Sequence, residues 1–273
     1  YRGLSSTARA ALGFSQDPDL ASIAEAPRTI FNVRVGGQRR VATQSVSLER
    51  VKAIGRAAGG TVNDVVLAAC SGALRRYLDE RGELPAESLI ASVPMALHHE
   101  EGTTSGNAVT SLNTRLGSQL EDVKQRFETI KRSTEAGKTL LKQMTQTAAL
   151  NYTMIVSLPV LLAWLPVAGA MVRPVTNLII SNVPGPRETL YFHGAEMVGY
   201  HPISQVGHGM ALNITVLSYA GQLSFGFVAC RDSVPSVQRL AVYVGDALDE
   251  LEATYLPKAR KAAPAKASKR KKR

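Results

Sequence analysis

Two adjacent histidines, His98 and His99, followed by Glu100, Glu101 and Gly102, are the residues whose types best suit proton transfer in this 273-residue chain. A general base must come within hydrogen-bond reach of the proton it takes. Side chains adjacent in sequence diverge on any regular element, so only one of the pair could face a given substrate. The pair stands in a polar stretch rich in Gly, Thr and Ser after an apolar run, which favours a solvated loop. No further His or carboxylate stands at ligand spacing on a helix, so no metal site is expected.

Three other groups could carry chemistry. Asn63 and Asp64 open an apolar helical run, where an Asn–Asp pair could orient a catalytic group or simply cap the helix. Ser181-Asn182-Val183-Pro184-Gly185-Pro186 is a rigid turn after a β-rich run, suited to ending a strand or walling a binding site. His208 stands between Gly207 and Gly209, which allow close backbone approach, and Ala211 and Asn213 follow. The chain has no Gly-Lys-Ser/Thr phosphate loop, no GxSxG elbow and no GxGxxG after a strand. The residues by themselves therefore make no complete catalytic set.

The elements that must position these groups are partly explicit. Thr29–Val35 and Val41–Leu48 read as strands around Gly36-Gly37, and Leu48 to Ala58 has helical spacing up to Gly59-Gly60. Thr61 through Asp64 fits a capping box ahead of a buried helix that stops near Gly82. Leu89–Met95 reads as a buried strand, and Gly117 to about Ala149 as a long polar helix. Val175–Asn182 reads as a strand, and Leu212–Tyr219 with Leu223–Val228 as a hairpin around Ala220-Gly221-Gln222. A last helix runs from Pro235 to about Tyr255. Strands mixed with helices give an α/β or α+β class.

The stretch from Gln143 to Val172 carries no charge. It is longer than the roughly 20 residues a bilayer span needs, but Pro159 and Pro166 interrupt it, so a buried helical hairpin is the favoured reading. The formal net charge of +10 is local: residues 257–273 hold nine basic residues and no acidic one, and the other 256 hold 23 against 22. A near-neutral body with a cationic tail is a poor nucleic-acid binder, since no basic patch with interleaved aromatics accompanies it. Anionic lipid suits the tail better. Cys70 and Cys230, both in apolar runs, exclude a disulfide scaffold and point to a reducing compartment.

Thr61 through Ala68, Ser181 through Pro186, Ala211-Leu212-Asn213-Ile214-Thr215, Phe225-Gly226-Phe227 and Cys230-Arg231-Asp232 come in this order and closely resemble the bacterial wax ester synthase/acyl-CoA:diacylglycerol acyltransferase family. The resemblance runs from about Thr29 to Leu256. It implies a fold like chloramphenicol acetyltransferase and condensation domains, in which this chain supplies the C-terminal subdomain, a mixed sheet with packed helices. It divides the chain into a lead-in at 1–27, a family domain at 28–256 and a disordered basic tail at 257–273. It also implies that the catalytic HHxxxDG motif lies on an N-terminal half, because His98-His99-Glu100-Glu101-Gly102 lacks the Asp and follows Ser92-Val93-Pro94. No catalytic residue is then expected in this chain. Asn63 and Asp64 become active-site support, and Ser181, Asn182, Pro184, Gly185, Pro186, His208, Gly209, Ala211 and Asn213 become channel or interface residues. The implied partners are the HHxxxDG half, acyl-CoA as substrate, and a long-chain alcohol or diacylglycerol. No resident cofactor is implied, and the location expected is cytoplasmic, at the inner membrane or lipid inclusions, with Leu158–Leu165 as a lipid contact.

Overall fold

A computed structural model describes residues 17–22, 25–96, 109–144, 148, 151, 152, 154, 155 and 173–256. The His98-His99 loop, the Leu158–Leu165 segment, most of the lead-in and the basic tail lie outside them.

Among the described residues eight strands and four long helices follow in order: β1 Arg39–Ser47, α1 Leu48–Ala58, α2 Val62–Asp79, β2 Ile90–Ala96, β3 Val109–Arg115, α3 Val123–Gln143, β4 Leu178–Val183, β5 Tyr191–Phe192, β6 Ala195–Glu196, β7 Leu212–Tyr219, β8 Gln222–Cys230 and α4 Gln238–Tyr255. Six strands form one mixed sheet in the order β1-β8-β7-β4-β2-β3, and β5-β6 is a separate small hairpin. β4 runs parallel to both β2 and β7, and the other pairs are antiparallel. The mixed class is as the sequence implies.

One face of the sheet is apolar and carries the helices. Ile180, Ile214 and Phe227 share a register row, as do Val216 and Phe225, and all five are buried. Phe225 and Phe227 stack with ring centroids 6.3 Å apart. α2 and α4 pack against each other over this core, and a Cβ at Gly72 would stand only 2.9 Å from the Ala247 Cβ, so the glycine sets how closely they approach. α3 covers β3, where Leu112 fills the space a Cβ at Gly137 would need.

Three sequence expectations change. Thr29–Val35 is not a strand: the chain turns at Thr29, whose carbonyl accepts from Asn32 N, and the segment is held across to 209–211. The long polar helix begins at Val123, not Gly117, because Asp122 caps it by accepting from Gln125 N at 2.8 Å. Gly117 instead takes a left-handed φ of 60° in the preceding turn. β3 and the β5-β6 hairpin were not foreseen. The β7-β8 turn is tighter than expected, with Ala220 and Gly221 both at positive φ and Gln222 already in the strand.

Candidate functional site

The second face of the sheet is polar. Alternation along β7 turns Asn213 and Thr215 away from Ile214 and Val216. Register places Ser92, Ile179, Asn213 and Val228 in one row and Ser181, Thr215 and Gly226 in the next. Across from Ser92 on β3 stands Asn113.

A strap formed by residues 197–210 crosses part of this face. The Tyr219 hydroxyl, at the end of β7, donates to the Met197 carbonyl at 2.7 Å and accepts from Leu190 N at 2.8 Å, fixing the base of the small hairpin and the start of the strap to the sheet. Pro202 lies directly on Gly226, where a Cβ would come within 1.8 Å of the Pro202 carbonyl oxygen. Ser204 Oγ and Thr215 Oγ1 are 2.5 Å apart, Thr215 donates to Asn213 Oδ1 at 3.1 Å, and Asn213 Nδ2 donates to the Gln205 carbonyl at 3.2 Å. Because Thr215 gives its single proton to Asn213, Ser204 is the donor to Thr215.

The Gly207–Asn213 stretch is anchored by the segment that failed to become a strand. Val35 N donates to His208 Nδ1 at 3.2 Å, so in the neutral imidazole the proton sits on Nε2. Gly209, with φ of 80°, gives its N–H to Val33 O, and its carbonyl accepts from Asn32 Nδ2 at 3.0 Å. Ala211 N donates to Phe31 O at 2.7 Å. Behind them Asn177 Nδ2 donates to Asn32 Oδ1 at 2.8 Å, while Ile90 N donates to Asn177 Oδ1. The two asparagines lock the lead-in, β2, β4 and the 207–211 turn together.

Ser181 lies on the polar face beside Thr215, and Asn182 pairs with Val216 on the helix side. Pro184, Gly185 and Pro186 run past the end of β4. Gly185 N donates to Ser218 Oγ at 3.0 Å, and a Cβ there would meet the Ser218 carbonyl at 2.2 Å, so only glycine fits. Asp64 is buried in the other layer. Its Oδ2 accepts from Thr61 N at 2.8 Å and Thr61 Oγ1 at 2.7 Å, completing the capping box. Asn63 is half-buried and makes no side-chain hydrogen bond among the described residues. The structure thus gathers Ser181, His208, Gly209, Ala211 and Asn213 around one face and its edge, and sets Asn63 and Asp64 apart.

Among the described residues no cluster of His, Cys, Asp or Glu could hold a metal ion. No single helix there is long and apolar enough to cross a membrane. Burial pushes the Cys70 thiol well up, leaving an inert core residue. Burial also pushes Cys230 up, but hydrogen bonds from Ser233 and from the backbone of Gly36 and Asp232 outweigh it and hold the thiol below its ordinary value. Sequence reasoning missed Ser92, Asn113, Ser204 and Gln205. Val109–Arg115 has no apolar stripe, so no local pattern marked Asn113 as a strand residue.

The WS/DGAT C-terminal domain model matches residues 105–252, and the wax ester synthase/diacylglycerol acyltransferase catalytic domain model matches residues 2–66. The O-acyltransferase WSD of Acinetobacter baylyi is 41% identical over 239 residues, which cover 87% of this chain and 51% of that protein. A Mycobacterium tuberculosis protein provisionally assigned as a diacylglycerol O-acyltransferase is 43% identical over 238 residues, 86% of this chain and 48% of that one. The solved wax ester synthase/diacylglycerol acyltransferase of Marinobacter aquaeolei VT8 superposes with a TM-score of 0.74 at 31% identity, covering 92% of this chain and 56% of its own. A condensation domain of the enacyloxin polyketide synthase shares the fold, with a TM-score of 0.53 at 13% identity. The chain spans about half the length of the curated relatives it matches. With the C-terminal family model covering more than half of its residues, the chain belongs to the wax ester synthase/diacylglycerol acyltransferase family of O-acyltransferases.

Proposed function

We propose that this chain is the C-terminal half of a long-chain-alcohol or diacylglycerol O-acyltransferase, working with an N-terminal half that carries the HHxxxDG general base. In the proposed reaction the base takes the acceptor hydroxyl proton as the oxygen attacks the thioester carbonyl of acyl-CoA. The carbon–sulfur bond then breaks, and the CoA sulfur leaves with the proton. The product is a wax ester or a triacylglycerol. One observation carries the reading. The polar sheet face presents hydrogen-bonding side chains without a histidine pair among the described residues, in a chain spanning about half of its relatives.

In this arrangement Ser181, Pro184–Pro186 and 207–213 wall the substrate channel, and Asn63 with Asp64 holds the start of α2 beside the shared interface. Co-expression with an HHxxxDG half tests the proposal: no ester should form with the chain alone, and ester should form with the pair. A matched pair that neither associates nor turns over would sink it.

Contact with a lipid surface is a second role, supported by the exposure of Tyr191, Phe192, Val198 and Ile203 on and beside the small hairpin. The location proposed is the cytoplasmic side of a membrane or a lipid inclusion. Flotation with anionic vesicles should show salt-sensitive binding that weakens on deleting residues 257–273. Binding indifferent to both salt and the deletion would remove the tail from the account.

A further inference from the structure

We propose that Asn113 binds substrate, its side-chain amide donating to a carbonyl oxygen of an acylated lipid held against the polar face of the sheet. The inference rests on the acyltransferase reading and adds to it a recognition point and the ligand chemistry that fits it.

Asn113 lies on β3, one residue after Leu112, which points into α3 against Gly137. Alternation therefore sends Asn113 to the opposite, polar face. The residue is only 4% exposed, yet its Nδ2 has no hydrogen-bond partner among the described residues. A buried amide donor left unpaired costs free energy, so each such group calls for a reason.

Its surroundings narrow the ligand. Directly across the strand pair is Ser92, half-buried, whose hydroxyl also makes no hydrogen bond among the described residues. Next in the row come Ile179 and Asn213. The far end of the face is different: Asn213, Thr215, Ser204 and Gln205 satisfy one another. On the near side, Arg115 of the next row is paired with Glu25. Within this row the unmet polarity is that of Asn113 and Ser92, between a closed network and a closed ion pair.

No charged residue stands in the Asn113–Ser92–Ile179–Asn213 row, so a phosphate or carboxylate has no counter-charge there. A neutral acceptor atom on a hydrocarbon chain matches an amide donor in an uncharged row that Ile179 continues beyond Ser92. Fatty acyl carbonyls have that chemistry, whether in the thioester of the acyl donor or in an ester of a diacylglycerol acceptor.

The test uses the chain paired with its catalytic half and two variants, Asn113→Leu and Asn113→Asp, the second keeping shape while removing the donor. With 1-hexadecanol and with dioctanoylglycerol as acceptors, KM should rise about tenfold while kcat changes little, as for one lost hydrogen bond. A rise in KM for acyl-CoA with both acceptors assigns the carbonyl to the donor. A rise confined to dioctanoylglycerol assigns it to the acceptor ester. Unchanged KM values throughout would overturn the proposal.

The melting temperature of the chain alone supplies an independent reading. Asn113→Leu should melt no lower than the parent, because it removes an unpaired donor. Octanoyl-CoA or dioctanoylglycerol should raise the parent's melting temperature and leave both variants unmoved. A clear drop in melting temperature for Asn113→Leu would show the amide to be structural and overturn the proposal. If the parent pair makes no ester while these shifts hold, it is the acyltransferase reading that has failed.

Discussion

The two faces of the central sheet are built from the same strands and do opposite work. On the helix face, Ile180, Ile214, Val216, Phe225 and Phe227 are sealed beneath α2 and α4 with nothing polar to satisfy. On the other, Asn113, Asn213, Ser181 and Thr215 stand in rows where hydrogen bonding decides what fits. The first face gains stability from area removed from water. The second gains little from burial and is held by a strap whose polar contacts are replaceable. One sheet can therefore separate folding from recognition by the alternation of its side chains alone.

The sharpest way to break that division is to remove one aromatic ring from the helix face. Phe225→Ala should cost about 3–5 kcal/mol by urea denaturation, because the Phe227 stack and the helix contacts cannot collapse into the space. Thr215→Val, on the same sheet but facing the strap, should cost only about 1–2 kcal/mol. Equal costs would mean the polar face is part of the core.

Gly226 tests the strap itself. A methyl at this position would collide with the Pro202 carbonyl, so Gly226→Ala must push the strap away from the sheet. A loss of about 1–3 kcal/mol is expected, with a disproportionate loss of ester formation in the paired enzyme. If the variant melts earlier yet turns over normally, the strap has no part in shaping the channel.

These two faces were unequally legible in the sequence. The helix face announced itself through the unbroken apolar run Val65–Cys70 and the alternation of Leu212–Tyr219, and the capping box at Thr61 marked α2 to the residue. The polar face was half visible. Asn213 and Thr215 could be read from the hairpin, and Gly185 from its prolines. Asn113 could not, because Val109–Arg115 puts Thr110 and Thr114 on the helix side and so lacks the apolar stripe that identifies a strand. Thr29–Val35 failed for the converse reason. Its composition favours a strand, but Asn32 binds Thr176 and Gly209 carbonyls some 144 and 177 residues away, contacts no local pattern encodes.

A smaller effect separates the cap from the site. Asp64→Ala removes the acceptor for two Thr61 donors and should cost about 1 kcal/mol. If Asp64 is only a cap, Thr61→Ala should lower ester formation by the same factor as Asp64→Ala. If it also holds the interface, Asp64→Ala should lose more activity than its stability cost explains.

The smallest expected effect is electrostatic and lies wholly in the helix layer. Glu80 accepts from the Tyr243 hydroxyl at 2.5 Å and from Arg76 Nε at 3.0 Å, with Arg239 at 3.1 Å. These donors hold its carboxyl below the usual glutamate value of 4.5, the Tyr243 hydrogen bond first among them. The unfolded chain therefore takes up the proton more readily than the folded one. The stabilisation is present above pH 4.5 and is lost as pH falls through the folded value. Glu80→Gln should flatten the acid branch of a urea-midpoint profile below about pH 4.5 while leaving ester formation at neutral pH unchanged. An unaltered acid branch would mean the donors do not discriminate between the two protonation states. A change in neutral-pH activity would mean the helix layer communicates with the polar face, and the division between folding and recognition would have to be redrawn through α4.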